Sequence, residues 1–296
     1  PSENNPFERL LYFLENQAFN TSRRIWMRGK ALLQGQTALV TGAATGIGRA
    51  SALALAAAGA DIAVNYLDQP DKAREVADQA REKFGVRALT IPADVSSEAE
   101  VERLFATTIE ALGRLDILIS NAGIQQDASF AEMNLKQWQK VIDVNLTGAF
   151  LCARAAVRQF LSQDRNSERS RARGKIIFTS SVHQVIPWSG HANYAASKGG
   201  LMMLMKTLAQ ELAPQQIRVN AVAPGAVKTA INRDAWQEES EAAGLCKLIP
   251  YGRIGEPADI GSVVAWLASD EADYITGTTI YIDGGMLLYP GFRTGG

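Results

Sequence analysis

Tyr194 and Lys198 stand four residues apart in Tyr194-Ala195-Ala196-Ser197-Lys198, at the head of an apolar stretch that continues to Leu212. Four residues is about one helical turn, so the phenol and the ammonium share a face. A tyrosine ionises near pH ~10 and is a poor base at neutrality. Lowering that value by ~2–3 units takes roughly 3–4 kcal/mol of preference for the phenolate. An ammonium ~4 Å away supplies about that much at an effective dielectric of about 20. The pair is therefore a candidate general base for work near neutral pH. A second constellation lies upstream, in Thr41-Gly42-Ala43-Ala44-Thr45-Gly46-Ile47-Gly48. Gly42 allows a tight turn, Gly46 clears the space a pyrophosphate must enter, and Gly48 permits close helix–strand packing. The helix N-terminus beyond offers free N–H groups and partial positive charge to that phosphate. No Gly-Lys-Ser/Thr ending follows, so a nucleoside-triphosphatase loop is excluded. Ala195–Gly199 imitates a hydrolase nucleophile elbow, but that elbow needs a later histidine. His183 and His191 both precede Ser197.

Holding these groups together requires a scaffold, and the chain alternates strand-length apolar runs with Ala- and Leu-rich helical patterns. Strands are expected at Thr37–Thr41, Asp61–Tyr66, Arg87–Ile91, Asp116–Ser120, Lys175–Thr179, Arg218–Val222 and Thr278–Ile282. Helices fall between them, the clearest over Arg49–Ala58 and stopped by Gly59. Runs such as Ile117-Leu118-Ile119 are apolar on both faces, as a sheet covered on both sides requires. The expected fold is α/β: a doubly wound parallel sheet of seven strands, a Rossmann fold with helices on both faces. It forms one domain over residues 34–296, preceded by an N-terminal extension, residues 1–33, that reads as an amphipathic helix. Gln163–Arg173 reads as a solvated polar connection.

Composition removes several classes of function. Thirty basic against 31 acidic residues give a net charge of −1, without the basic footprint of a nucleic-acid binder. No apolar run approaches the ~20 residues that span a bilayer. Cys152 and Cys246 are the two cysteines, and with only two histidines no protein-built metal site is expected. A metal-free protein of a reducing compartment, with cytoplasmic localisation and no membrane partner, follows as the expectation.

The spacing Gly-x-x-x-Gly-x-Gly, with Asn121-Ala122-Gly123, with Ser181, Tyr194 and Lys198, and with Pro224-Gly225, resembles the short-chain dehydrogenase/reductase family over about residues 35–290. That resemblance implies a nicotinamide cofactor and a Ser-Tyr-Lys-Asn mechanism. Ser181 would bind the substrate oxygen and Tyr194 would exchange its proton. Lys198 would hold the nicotinamide ribose, and the carbonyl of Asn145, inside a helix around Val141–Phe150, would bind a water linking Lys198 to solvent. Oxidised nicotinamide would add a further positive charge near Tyr194. Gly42, Thr45, Gly46, Ile47 and Gly48 would hold the pyrophosphate. Asn121, Ala122 and Gly123 would line the adenosine side, and Asp94 and Val95 would face the adenine. Pro224, Gly225, Val227 and Thr229 would lie at the nicotinamide end. An acid at the end of the second strand would bind the 2′-hydroxyl and repel a 2′-phosphate. Tyr66 stands there instead, and Leu67 occupies the place where phosphate-binding members often carry Arg. With Asn65 uncharged and Arg49, Lys72 and Arg74 near in sequence, the balance points to NADP, with NAD also accepted.

Within the family the likeness is closest to bacterial glucose 1-dehydrogenases. It rests on Ser180–Trp188, Ile142–Phe150, Ile254–Pro257, Val264–Ser269 and Asp283–Met286. A sugar or similar alcohol is thus the expected substrate, under a lid at about residues 226–250. Gln125 and Gln184 replace acids usual in that group, and Ala235 stands where a Lys is usual. Ser181, His183, Gln125, Gln184 and Asn232, with Trp188 and His191, are the candidate substrate contacts. The alternatives are reduction of another carbonyl, such as a 3-oxoacyl thioester or ketone, and a non-catalytic cofactor-sensing or scaffolding role. The family is most often tetrameric, and Trp266 and Met286–Tyr289 are candidate interface residues.

Overall fold

The structure, a computed structural model, describes residues 31–288. Seven strands pair in parallel in the order β3-β2-β1-β4-β5-β6-β7. They are β1 (Thr37–Val40), β2 (Asp61–Tyr66), β3 (Ala88–Pro92), β4 (Ile117–Ser120), β5 (Gly174–Thr179), β6 (Ile217–Pro224) and β7 (Thr279–Ile282). Each expected strand is present, with ends displaced by no more than about two residues, as is usual for strand and helix termini. The four central strands are buried along their whole length, which is why they are apolar on both faces. Alternation along each strand sorts these side chains into two cores. Leu39, Leu118, Ile176, Phe178 and Val219 enter one, while Ala38, Val40, Ile117, Ile119 and Val222 enter the other. Chain order reverses between β1 and β4, the switch point at which an open parallel sheet leaves a crevice beyond its strand ends.

The helices are α1 (Gly46–Ala57), α2 (Pro70–Phe84), α3 (Glu98–Leu112), α4 (Leu135–Ile142), α5 (Gly148–Ser162), α6 (Ala192–Leu212), α7 (Glu239–Cys246) and α8 (Pro257–Ala268). α1 starts three residues before the sequence expectation because Gly46 and Gly48 belong to its first turn. The helix expected without interruption around Val141–Phe150 is two helices joined by a π turn, Asp143–Thr147. There the Gly148 N–H reaches the Asp143 carbonyl, five residues back rather than four. The segment expected as a lid is a 3-10 turn, Ala230–Ala235, followed by α7. The Gln163–Arg173 connection is tied to the domain, since Ser170 Oγ and the Arg171 N–H both donate to Asp270. The helix expected over residues 1–33 lies outside the described residues, apart from its end, where Leu33 is buried and donates to the Ala58 carbonyl. Among the described residues, no helix is long and apolar enough to cross a membrane.

Candidate active site

Beyond the carboxyl ends of β1, β2, β4, β5 and β6 lies a cleft of about 1150 Å³. Its floor begins at the glycine turn. Gly42 and Gly46 have φ of +59° and +56°, values that residues with a Cβ rarely adopt. A Cβ on Gly48 would stand 2.3 Å from the Gly42 carbonyl oxygen, so only glycine lets α1 leave the strand this closely. Asn65 accepts from the Gly42 N–H and donates to the Ile91 and Ala93 carbonyls, stitching the turn to β2 and β3. Asn121 donates to the Thr41 and Gly42 carbonyls, closing the turn against β4. Thr45 precedes α1 without a side-chain cap, and no acid lies in the first turn. The leading N–H groups of α1 are thus left open toward the cleft that Thr45, Gly46 and Ile47 line, which fits a phosphate.

Every residue assigned from sequence to the cofactor lines this one cleft: Gly42, Thr45, Gly46, Ile47, Gly48, Tyr66, Asp94, Val95, Asn121, Ala122, Gly123, Tyr194, Lys198, Pro224, Gly225, Val227 and Thr229. Asp94 is fixed by Ser96, whose N–H and hydroxyl both donate to it. Burial acts to raise its pKa, but these bonds and Lys140, 3.9 Å away, hold the carboxyl below its ordinary range. The basic residues expected near the 2′ position are elsewhere. Arg49 donates to Gln79 and faces a separate groove, Arg74 pairs with Asp71, and Lys72 does not line the cleft. Past β2 the cleft is lined by Tyr66, Leu67, Asp68 and Gln69, so the charge this segment brings to the cleft is an acid, Asp68, that the sequence expectations did not name. No local pattern marks Asp68; its place follows from how the chain leaves β2.

At the opposite end Ser181, Tyr194 and Lys198 meet. Ser181 follows β5 and accepts from the His183 N–H, while Tyr194 and Lys198 occupy the first turns of α6. Lys198 Nζ donates to the Thr179 carbonyl at 2.9 Å and lies 5.6 Å from the centre of the Tyr194 ring. Burial pushes the lysine down to about 8. Tyr194 is raised above its ordinary value, because burial disfavours the phenolate by more than Ser181 and Gln125 recover by hydrogen bonding. The expected lowering of the phenol by Lys198 is not what this geometry gives: the ammonium sits over the ring, 5.6 Å from its centre, and burial holds Tyr194 above its ordinary value. Asn145 lies beneath, in the π turn. Its Oδ1 accepts from the Ile124 N–H at 2.8 Å, and its Nδ2 donates to the Ile124 carbonyl and to Ser197. Both amide hydrogens of the side chain are thus taken, and its oxygen accepts from the Ile124 N–H.

The substrate candidates divide. Gln125, His183, Trp188 and Asn232 line the cleft. Gln184 turns away; its oxygen accepts from Ser180 and its amide donates to Tyr281, on the far side of the strand ends. His191 is also outside the cleft, stacked on Trp188 with ring centres 3.5 Å apart. Asn232 Oδ1 accepts from Thr229 and from the Trp236 indole, which reduces what it can offer a sugar. Met286 and Leu288, expected at an interface, line the cleft, while Trp266 is exposed on α8.

Comparison with known proteins agrees with this geometry. Residues 42–287 match a family model described as enoyl-(acyl carrier protein) reductase. The chain is 44% identical over 263 residues to 3beta-hydroxysteroid dehydrogenase 1 of Eggerthella lenta, covering 89% of this chain and 98% of that one. It is 41% identical over 259 residues to glucose 1-dehydrogenase 2 of Bacillus subtilis, covering 87% and 97%. Among solved structures, a gluconate 5-dehydrogenase from Burkholderia cenocepacia in complex with NADP and tartrate superposes with a TM-score of 0.78 at 34% identity, covering 87% of this chain and 97% of that one. With the glycine turn, the Ser-Tyr-Lys set and the parallel sheet already in one cleft, these likenesses place the chain in the short-chain dehydrogenase/reductase family, an NAD(P)-dependent oxidoreductase.

Proposed function

We propose that this chain interconverts a ring-bearing secondary alcohol and its ketone, with Tyr194 moving the hydroxyl proton. The observation that carries this reading is the convergence of Tyr194, Ser181 and Lys198 on the cleft that also contains the open N-terminus of α1. A nicotinamide dinucleotide held there supplies the hydride acceptor in oxidation and the hydride donor in reduction. Gly42, Thr45, Gly46 and Ile47 would hold its pyrophosphate, Asp94, Val95 and Asn121–Gly123 its adenosine, and Pro224, Gly225, Val227 and Thr229 its nicotinamide end. The Ser181 hydroxyl donates to the substrate oxygen, Tyr194 takes the proton, and Lys198 binds the nicotinamide-side ribose. The Asn145 carbonyl orders the water through which that proton reaches solvent. Since the segment after β2 brings Asp68 and, among its own residues 66–69, no base to the cleft, NAD should serve at least as well as NADP.

For the substrate, the sugar reading keeps Gln125 and His183 as hydroxyl contacts and loses Gln184 and His191. Around them the cleft is lined by many apolar side chains, among them Ile186, Pro187, Trp188, Ile231, Leu248 and Met286. Unpaired sugar hydroxyls against such a lining would cost about 1–3 kcal/mol each. A cyclic alcohol with a mostly apolar body, of which a 3-hydroxysteroid is one example, suits it better than glucose. Reduction of a 3-oxoacyl thioester is the second reading, supported by the same apolar lining.

A panel of glucose, other sugars, cyclic secondary alcohols, hydroxysteroids and ketones, each with NAD and NADP and followed by absorbance of the reduced nicotinamide, tests this. Glucose preferred over every apolar cyclic alcohol by about tenfold in kcat/KM would overturn the substrate assignment. Turnover unchanged in Tyr194→Phe would overturn the mechanism. No turnover with any member would favour the sensing or scaffolding role.

A further inference from the structure

We propose that Lys247, at the C-terminus of α7, is a specificity residue that receives an anionic group carried by the substrate on the side remote from its reacting carbon. The proposal deepens the reading above and rests on it: the preferred substrate is a cyclic secondary alcohol whose apolar body ends in a carboxylate.

The charges that line the cleft sort by place. Asp68, Asp94 and Lys140 belong to the adenosine end, where Lys140 stands 3.9 Å from Asp94. Lys198 is buried behind the Tyr194 ring, with one N–H on the Thr179 carbonyl. His183 is held toward its neutral form by burial. Among the described residues, the one further ionisable side chain of the lining besides the two tyrosines is Lys247.

Its position follows from the residues after it. Ile249 is buried, and the Tyr251 N–H donates to the Gly284 carbonyl at 2.9 Å. Gly284 and Gly285, with φ of +62° and +87°, turn the chain after β7 beneath this segment. A Cβ on Gly284 would stand 2.7 Å from Ile249, and one on Gly285 would stand 3.2 Å from Pro250. The same turn meets Gly225, assigned above to the nicotinamide end, where a Cβ would stand 2.8 Å from Asp283. Asp283 fixes the turn by accepting from the Gly285 and Leu287 N–H groups. The segment that carries Lys247 is thereby tied to the reacting end of the cleft.

The surroundings define what this ammonium can select. Leu245, Leu248 and Pro250 line the cleft with it, as do Met286 and Leu288 of the turn below. Such side chains bind an apolar body through the area they bury. Lys228, before the 3-10 turn, is tied to Glu256, whereas among the described residues no acid pairs with Lys247. A cation beside apolar neighbours favours a ligand that brings its own anion there over a neutral one of the same shape. Lys247 is exposed, so solvent screens the pair and keeps the preference modest. A contact this far from the reacting carbon is made equally in the bound substrate and in the transition state, so it acts on KM and leaves kcat alone.

The test uses the full chain with NAD and a series of hydroxycyclohexyl-alkanoic acids of graded chain length, each paired with its methyl ester. In the wild type the acid-to-ester ratio of kcat/KM should peak at one chain length and decline with added salt. Lys247→Met should lower that peak about fivefold, through KM with kcat kept. Lys247→Arg should retain the peak, and Lys247→Glu should favour the ester. A ratio flat across the series, or a loss in Lys247→Met shared equally by acid and ester, would overturn the assignment. A rise in KM confined to the cofactor would overturn it too, giving Lys247 to the dinucleotide. Binding of the same pairs to Tyr194→Phe enzyme loaded with NAD, read by calorimetry, reports the ratio without turnover. A peaked binding ratio in an enzyme whose wild type oxidises no alcohol of the series would support Lys247 and overturn the underlying reading, so the two failures are distinguishable.

Discussion

Lys198 Nζ sits over the face of the Tyr194 ring, 5.6 Å from its centre, and one of its three N–H bonds points to the Thr179 carbonyl. The lysine is therefore a fixed cation behind the ring, whose own charge is weakened by burial. Four predictions follow from this arrangement and from the groups around it.

Oxidation should speed up as pH rises, because burial raises the Tyr194 pKa and the base form must accumulate. Tyr194→Phe should lose about 10²–10⁴-fold in kcat. A rate profile flat from about pH 6 to about pH 10, with hydride transfer shown to be rate-limiting by deuterium substitution, would contradict this assignment.

Asn145→Ala removes both partners of the Ile124 peptide, its N–H and its C=O, inside a buried turn. Unfolding free energy in urea should fall by about 2–3 kcal/mol, and kcat should fall with it as the 121–125 segment loosens. Retained stability would mean that the π turn does not depend on this side chain.

Leu67→Arg places a guanidinium at the edge of the cleft next to Asp68. The ratio of kcat/KM for NADP over NAD should rise by about tenfold, the effect of roughly 1.4 kcal/mol. An unchanged ratio would show that the 2′ position lies elsewhere.

Stability should rise with pH between about pH 8 and pH 9. Lys175 and Lys198 are both pushed by burial from 10.5 down to about 8. Across that interval the unfolded chain binds more protons than the folded one, so alkalinity favours folding. Above about pH 9 buried Cys152, pushed up from 9.0 to about 12, acts in the opposite sense. Lys175→Met should reduce the rise by about half, measured as unfolding free energy at pH 8 and 9. An unaltered slope would remove Lys175 from the account.

Much of this protein was legible in one dimension because its signals are local. Strand runs apolar on both faces, glycines at the turn from β1 to α1, and a Tyr and Lys one helical turn apart all declare themselves within a few residues. Short-range sterics and side-chain period therefore determined the seven strands, the glycine turn and the Tyr-Lys pair from sequence alone. Other features depend on residues far apart in the chain, and only folding decided them. Gln184, the residue after His183, faces away because a short 3-10 turn rotates it toward Tyr281. Asn145 entered a π turn because its amide found the Ile124 peptide, 21 residues earlier. The sign of the Tyr194 shift also required three dimensions, since the cost of desolvation depends on what surrounds the phenol. Asp127 and His191, 64 positions apart, carry no mutual pattern and meet only where two loops close over the head of α6.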